Sequence, residues 1–334
     1  VASLKASGTH LGPLGPLVQV FREKGILFGY RHPKSSARDC LLSVFQMTNE
    51  TMNIWTHFLP SWFFLWKLLG FLLSREVRAD GYAWPFLAYL ATCCAYPLAS
   101  SLAHTFSTMS LRARHVCYFC DYAALALYSL GSAVAYSAYV FPHEWVGGTF
   151  HRYYLPIAVL NTVFSTSLAC YSRLAEAERP KLGKGMRVLA FAYPYLFDSI
   201  PLFYRLSWCQ GGVIRTHGWH TVLAGLTCFL FATHLPERLA PGLFDYVGHS
   251  HQLFHICGVV GTHFQMLALS TDMTDRRSRL LASLPDPSVF PRAVASVAVS
   301  AAAGLLIVAA FSASLYSAPT LLSGRRNQSK IRRD

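Results

Sequence analysis

Charged residues are scarce in this sequence, and acidic ones most of all. Asp, Glu, Lys and Arg make up 13% of the 334 residues and hydrophobic residues make up 53%, whereas soluble domains are about 25% charged. This composition excludes an ordinary soluble domain and indicates a membrane protein with several spans. The formal net charge of +13 is better explained by basic loops at the cytosolic face than by a nucleic-acid partner, which we do not expect.

Paired cysteine motifs and a leader segment are also lacking. Most of the nine cysteines lie inside apolar runs or near one membrane face, so they do not form a disulfide framework. Cys117 and Cys120 make a C-x-x-C pair, but without a second pair it is a weak signal for a zinc or redox site. The first twenty residues contain no apolar core uninterrupted by Gly or Pro, so no signal peptide is predicted.

Apolar runs of membrane-spanning length fill most of the chain. A spanning helix needs about 20 mostly apolar residues, and eight such runs are present, at 53–73, 84–104, 118–141, 153–172, 188–206, 219–236, 250–270 and 289–316. No internal repeat or long linker divides them. The sequence therefore predicts an all-α, polytopic membrane helical bundle over 53–316, after an N-terminal segment, 1–52, and before a basic tail, 317–334.

The distribution of Lys and Arg predicts the orientation of this bundle. Eight spans place both termini on the same side of the membrane. Most of the 29 Lys and Arg residues lie in the N-terminal segment, the tail and the loops on that side. By the positive-inside tendency, both termini are predicted to be cytosolic.

The stretch "HSHQLFH", residues 249–255, places three histidines at the start of the seventh run. His251 and His255 are four residues apart and share one face of a helix, a spacing that suits two imidazoles on one metal ion. His249 falls on the opposite side of the helix. A third metal ligand must therefore come from another part of the chain.

The path of the chain through eight spans supplies that ligand. The end of the second span and the starts of the first, third and seventh meet at one membrane face. His104, His251 and His255 would then form a three-histidine zinc site with a fourth position open to water, as in catalytic zinc. Asp121 would hydrogen-bond this water or orient a ligating imidazole, and Ser100 would hold the same water or one end of a ligand. The alternative is that the histidines cap helices and bond to the backbone or to each other.

Two further polar features lie inside predicted spans. Glu50, Asn53 and His57 share one helical face at the start of the first span, either as a hydrogen-bond network facing the bundle or as part of the site. Asp198 lies near the middle of the fifth span, where an unpaired carboxylate is costly. We expect Asp198 to be protonated or bonded to a hydroxyl such as that of Ser199 or a tyrosine.

Several motifs resemble the progestin and adipoQ receptor family nearly from end to end. They are "GILFGYRHP", "FQMTNETMNIWTH", "SSLAHTFS", "FCDY" and "HLPERLAPGLFDYVGHSHQLFH", and "AFAYPYLFDSIPLFYRL" is similar to the gamma and delta members of its membrane progestin receptor branch. The resemblance implies zinc histidines at His104, His251 and His255, with the family's aspartate at Asp121 and its serine at Ser100. It also implies a cytosolic amino terminus and a seven-helix core, to which the progestin branch adds an eighth, C-terminal transmembrane helix.

Three functions are compatible with these residues. The resemblance implies a plasma-membrane steroid receptor that takes a progestin from the surrounding membrane lipids. A zinc-dependent, ceramidase-like lipid amide hydrolase is the second, with Asp121 and Ser100 as candidate catalytic residues and ceramide as the substrate to test. In the third, zinc is a structural staple between helices. Which steroid binds, whether water on the metal reacts and whether a G protein couples are left open by the sequence.

Overall fold

The computed structural model describes residues 22–74, 81–176, 178–283 and 289–317. Eleven α-helices account for most of these residues, and the described ranges contain no strand. We number them α1 (Ala37–Ser43), α2 (Thr51–Leu72), α3 (Trp84–Phe106), α4 (Leu111–Tyr139), α5 (Thr149–Ala175), α6 (Pro180–Asp198), α7 (Ile200–Trp208), α8 (Gly212–Thr233), α9 (Ser250–Asp275), α10 (Arg277–Ser283) and α11 (Val289–Ser317). The all-α prediction is confirmed; the predicted tail, apart from Ser317, lies outside the described residues.

Each of the eight apolar runs coincides with helix, but the fifth is divided. Helix α6 ends at Asp198 and α7 begins at Ile200. Pro201 explains the break, because proline has no amide hydrogen and its ring clashes with the carbonyl four residues earlier. The fifth predicted span is therefore an interrupted helix, with Asp198 and Ser199 at the break.

The long helices form a closed ring with one helix outside it. Helices α2 to α6 pack in chain order, α8 packs along α9, and α9 returns to α2. Counting α6 and α7 as one interrupted element, this is a seven-helix core, and α11 packs against α4 and α5 from outside. By length and composition, four helices in the described part of the chain can cross a membrane: Gly81–Phe106, Thr149–Ala175, Ser250–Asp275 and Phe290–Ser317. The chain is a polytopic membrane protein.

The bundle places apolar side chains outward and buries polar pairs. Trp62, Trp66 and Leu306 are among its exposed large side chains, as a lipid-facing surface requires. Inside, Arg205 of α7 donates two hydrogen bonds to Asp272 of α9, at 2.6 and 2.9 Å. A buried charge must be paired in this way to be tolerated, so this pair joins α7 to the end of α9 farthest from its histidines.

Candidate metal centre

The three predicted histidines lie together where the end of α3 meets the start of α9. One ring nitrogen from each of His104, His251 and His255 lies within 4.8 Å of the other two. Nε2 of His104 and Nε2 of His251 are 3.1 Å apart. Two nitrogens bound tetrahedrally to one zinc ion at about 2.0–2.1 Å are separated by roughly 3.3 Å, so the spacing fits a shared metal ion.

Local sequence sets the start of α9 and with it the positions of His251 and His255. Gly248 has a φ of +89°, a left-handed conformation that favours glycine, and α9 begins two residues later. The Glu237 carboxylate then accepts hydrogen bonds from the backbone N–H of Ser250 at 2.7 Å and from its hydroxyl at 2.5 Å. A carboxylate at a helix N-terminus accepts hydrogen bonds from free backbone amides and is attracted to the positive end of the helix dipole, so it stabilises the start of the helix.

Hydrogen bonds on the far side of two rings orient their metal-facing nitrogens. Nδ1 of His104 lies 2.7 Å from a carboxylate oxygen of Glu50. Nδ1 of His255 lies 3.1 Å from the carbonyl oxygen of Asn53 and 3.1 Å from the hydroxyl of Thr56. Carboxylate and carbonyl oxygens accept hydrogen bonds, so each Nδ1 carries the hydrogen and each Nε2 presents a lone pair. Metal-ligating histidines are usually held in this way.

A polar stripe at the start of α2, formed by Glu50, Asn53 and His57, lies beside the histidines. Asn53 donates to the same Glu50 oxygen at 2.9 Å, and the ring of His57 stacks on that of His255 with centroids 3.6 Å apart. All three stripe residues are buried. The sequence left open whether these residues form a hydrogen-bond network or belong to the site. In the structure the polar stripe forms such a network, and the network contacts the candidate site.

Asp121 and Ser100 lie next to this centre without joining it. The Asp121 carboxyl interacts with the hydroxyl of Ser100 and with the imidazole of His104, and both residues line the same cavity. His249 faces away, with its Nε2 3.3 Å from the carbonyl oxygen of Asn49, as the helical spacing predicts. In the described part of the chain, the three histidines are the group of metal-ligating side chains that can hold an ion.

The histidine centre opens into a large cavity within the ring of helices. Its volume is about 1670 Å³, above the roughly 300–1,000 Å³ typical of ligand pockets. Near mid-bundle, Gln265 of α9 joins the helices: its carbonyl oxygen accepts from the hydroxyls of Tyr89 at 2.9 Å and Tyr128 at 2.7 Å. Its amide donates to Tyr136 at 2.7 Å. Gln265, Tyr128 and Tyr136 line the cavity, so ordered polar groups form part of its wall.

Asp198 has a hydroxyl partner, although it is not the one expected. Ser129 of α4 donates to its carboxylate at 2.7 Å. The hydroxyl of Tyr154 donates instead to the Asp198 backbone carbonyl, at 2.7 Å. Ser199 lies between α6 and α7, and its hydroxyl interacts with Tyr195.

One supporting residue escaped the sequence analysis. The guanidinium group of Arg31 donates to the backbone carbonyls of His104 and, at 2.7 Å, of Thr105, so it ties the N-terminal segment to the end of α3. It also donates to the hydroxyls of Ser43 at 3.2 Å and Ser107 at 3.4 Å. These contacts join segments that are far apart in the chain, so residue spacing does not predict them.

These features define an α-helical membrane protein with a buried three-histidine centre at one end of an internal cavity. The sequence model of the haemolysin-III-related family matches residues 45–266, and the chain belongs to this family.

The chain is also similar to curated proteins over nearly its whole length. It is 56% identical to membrane progestin receptor gamma-B of Danio rerio, over 91% of this chain and 92% of that protein. It is 55% identical to membrane progestin receptor gamma of Mus musculus, over 90% and 92%, and 55% identical to membrane progestin receptor delta of Homo sapiens, over 90% and 90%. The resemblance to the gamma and delta members is confirmed.

Proposed function

We propose that the chain is a plasma-membrane steroid receptor whose progestin ligand occupies the cavity beside the histidine centre. The observation that carries this proposal is the cavity itself, about 1670 Å³ in volume and bounded by the ring of helices. The relatives named as membrane progestin receptors, at 54–57% identity, support the choice of ligand class. A rigid, neutral and apolar ligand can reach such a cavity from the bilayer.

The three histidines are proposed to hold zinc near the cytosolic face. Neutral imidazoles in a roughly tetrahedral arrangement suit Zn²⁺, and three protein ligands leave one position for water or a ligand oxygen. When bound there, zinc would supply Lewis-acid chemistry to that oxygen. Glu50 and the Asn53 carbonyl fix the rings, and Asp121 with Ser100 forms the polar wall of the open position.

A second candidate function is a zinc-dependent lipid amide hydrolase. The position of Asp121 favours it, since a carboxylate beside an open metal position can take a proton from bound water as a carbonyl is attacked. Ser100 is then a candidate for holding the water or the substrate. In the third candidate, zinc only staples α3 to α9, and ligand binding would survive its removal.

The proposed orientation places both termini in the cytosol, with 1–52 and 317–334 flanking the transmembrane domain. It rests on the distribution of Lys and Arg. A G protein or another cytosolic signalling protein would then contact the loops and termini of the basic face. The tail is proposed to touch anionic lipid through its basic residues. These are Arg325, Arg326, Lys330, Arg332 and Arg333.

Filling the cavity tests the receptor proposal. Ala192 of α6 lines the cavity, so Ala192→Trp should abolish saturable binding of labelled progesterone to purified protein in lipid nanodiscs. Leu189, on the same helix but 55% exposed, provides the matched control, and Leu189→Trp should bind as the unmodified chain does. Absence of saturable binding to the unmodified chain, or full binding by folded Ala192→Trp, would contradict the proposal.

A further inference from the structure

A second cluster of buried polar groups lies on the cavity wall at the break between α6 and α7. Asp198 and Ser199 lie at the break, Tyr195 is one turn earlier on α6, and His220 of α8 contacts the ring of Tyr195. All four line the cavity, and Asp198, Ser199 and His220 are each at most 5% exposed. The ring centroids of Tyr195 and His220 are 6.3 Å apart. We call these four residues the break subsite.

Several buried polar atoms of the break subsite lack hydrogen-bond partners. One Asp198 oxygen accepts from Ser129, but the other has none. Nε2 of His220 also has no partner. The hydroxyl of Tyr195 interacts with those of Ser199 and Thr221, but neither the Tyr195 nor the Ser199 hydroxyl has a partner in good hydrogen-bonding geometry. Buried polar groups in native proteins are nearly always paired, and leaving them unpaired costs free energy. Four such atoms on one stretch of cavity wall therefore indicate a site that a polar group completes.

The tautomer of His220 determines whether the group that completes the break subsite must donate or accept a hydrogen bond. Its Nδ1 lies 3.0 Å from the carbonyl oxygen of Gly261, which can only accept, so Nδ1 carries the hydrogen. Nε2 of the neutral ring is then an acceptor and requires a donor. The hydroxyls of Tyr195 and Ser199 can each donate or accept. A ligand hydroxyl can donate its hydrogen to Nε2 and accept from Tyr195 or Ser199, whereas a ketone oxygen leaves Nε2 unpaired.

The break subsite lies at a distance from the histidine centre that suits a rigid apolar molecule. Ser129 comes eight residues after Asp121 on α4, about 12 Å along the axis at ~1.5 Å per residue. Leu125 and Phe191 are among the apolar residues that line the cavity wall. This separation is comparable to the length of a fused-ring steroid skeleton, which carries oxygen atoms at its two ends.

We propose that the break subsite binds the hydroxyl group of a hydroxysteroid, at the end of the ligand that points away from the histidine centre. The inference rests on the proposed receptor function and adds to it a preference among steroids. A hydroxyl there donates to Nε2 of His220 and accepts from Tyr195 or Ser199.

The test compares steroids that differ only by a hydroxyl or a ketone at one end of the skeleton. Two pairs are used, one for each end, with purified chain in nanodiscs. In one pair the hydroxyl compound should bind about ten- to a hundredfold more tightly, as the loss of one buried hydrogen bond implies. His220→Asn should remove this preference, because the asparagine amide can still donate to the Gly261 carbonyl but provides nothing at the position of Nε2.

His263→Asn is the matched control. His263 is a histidine of α9 that contacts Phe63 and Phe264 and does not line the cavity. This variant should therefore keep the preference for the hydroxyl compound. Should His220→Asn fail to fold, Tyr195→Phe removes only one oxygen and should weaken the hydroxyl compound more than the ketone. Tyr193→Phe, at an exposed position on the same helix, is its control.

The outcomes separate this inference from the receptor proposal. If both compounds of each pair bind equally to the unmodified chain, the break subsite does not recognise a hydroxyl group and the receptor proposal stands. The same holds if the preference survives in His220→Asn and in Tyr195→Phe. If the unmodified chain binds neither member of either pair, the receptor proposal fails and this inference fails with it.

Discussion

Replacing Glu50 should weaken metal binding without touching a metal ligand. Its carboxylate lies 2.7 Å from Nδ1 of His104, and its side chain is 6% exposed. A buried, charge-assisted hydrogen bond of this length holds the ring in place and increases the basicity of Nε2. Loss of such a partner typically lowers metal affinity about 10- to 100-fold, which corresponds to roughly 1.4–2.8 kcal/mol.

The two substitutions at Glu50 should differ in size. Glu50→Gln keeps the shape and an acceptor oxygen but loses the charge, so we expect about a tenfold loss of zinc affinity. Glu50→Ala also removes the acceptor and should cost about a hundredfold. The assay is competition for zinc between purified chain and a chelator of known affinity. Glu144 is exposed and hydrogen-bonded to Tyr204, far from the histidines, so Glu144→Gln should leave the affinity unchanged.

The result that would refute this reasoning is an unchanged zinc affinity in folded Glu50→Ala. Thermal unfolding and size-exclusion profiles of each variant establish that it is folded. An equal loss in Glu50→Gln and Glu144→Gln would likewise show that the effect is one of overall charge and not of ring orientation.

Four further predictions address catalysis, the tail, topology and stability. If zinc is catalytic, Asp121→Asn should keep bound metal while hydrolysis of a ceramide-like lipid falls by about 10²-fold or more; retained metal with undiminished hydrolysis would eliminate this base. Truncation after Ser317 should weaken membrane retention and leave steroid affinity unchanged, and a large affinity loss in correctly inserted protein would mean that the ligand site is elsewhere. Antibodies to tags at either terminus should bind only after permeabilisation; a C-terminal tag alone accessible on intact cells would mean that 289–316 does not cross. Asp272→Ala should lower the free energy of unfolding by about 3–5 kcal/mol because it leaves the Arg205 charge buried and unpaired, and a change below ~1 kcal/mol would contradict a buried pair.

Much of the fold could be predicted because membrane spans have a strong sequence signal. Eight apolar runs of sufficient length predicted the long helices, and chain direction alone brought His104 to the same end of the bundle as His251 and His255. The four-residue spacing on one helix face predicted the pairing of the last two. These inferences need only helix geometry and bilayer thickness.

The parts that escaped prediction depend on contacts between distant segments. Nothing in the spacing of Glu50 shows that its carboxylate meets His104, since that contact requires the packing of α2 against α3. The partner of Asp198 was predicted by type and not by residue, because Pro201 interrupts the helix and turns the carboxyl towards α4. Arg31 bonds to backbone carbonyls and serine hydroxyls of segments distant in the chain, and residue spacing does not show such contacts.

The three-histidine centre is the feature that the receptor and enzyme proposals share, so its metal content is the most direct test. Elemental analysis of the purified, unmodified chain should find about one zinc ion per chain, as expected for one open three-ligand site. His104→Ala, His251→Ala and His255→Ala, prepared in the same way, should each lose most of it and unfold at lower temperature. An unmodified chain that holds no zinc and takes up none when it is added, or histidine variants that retain the full amount, would contradict the account.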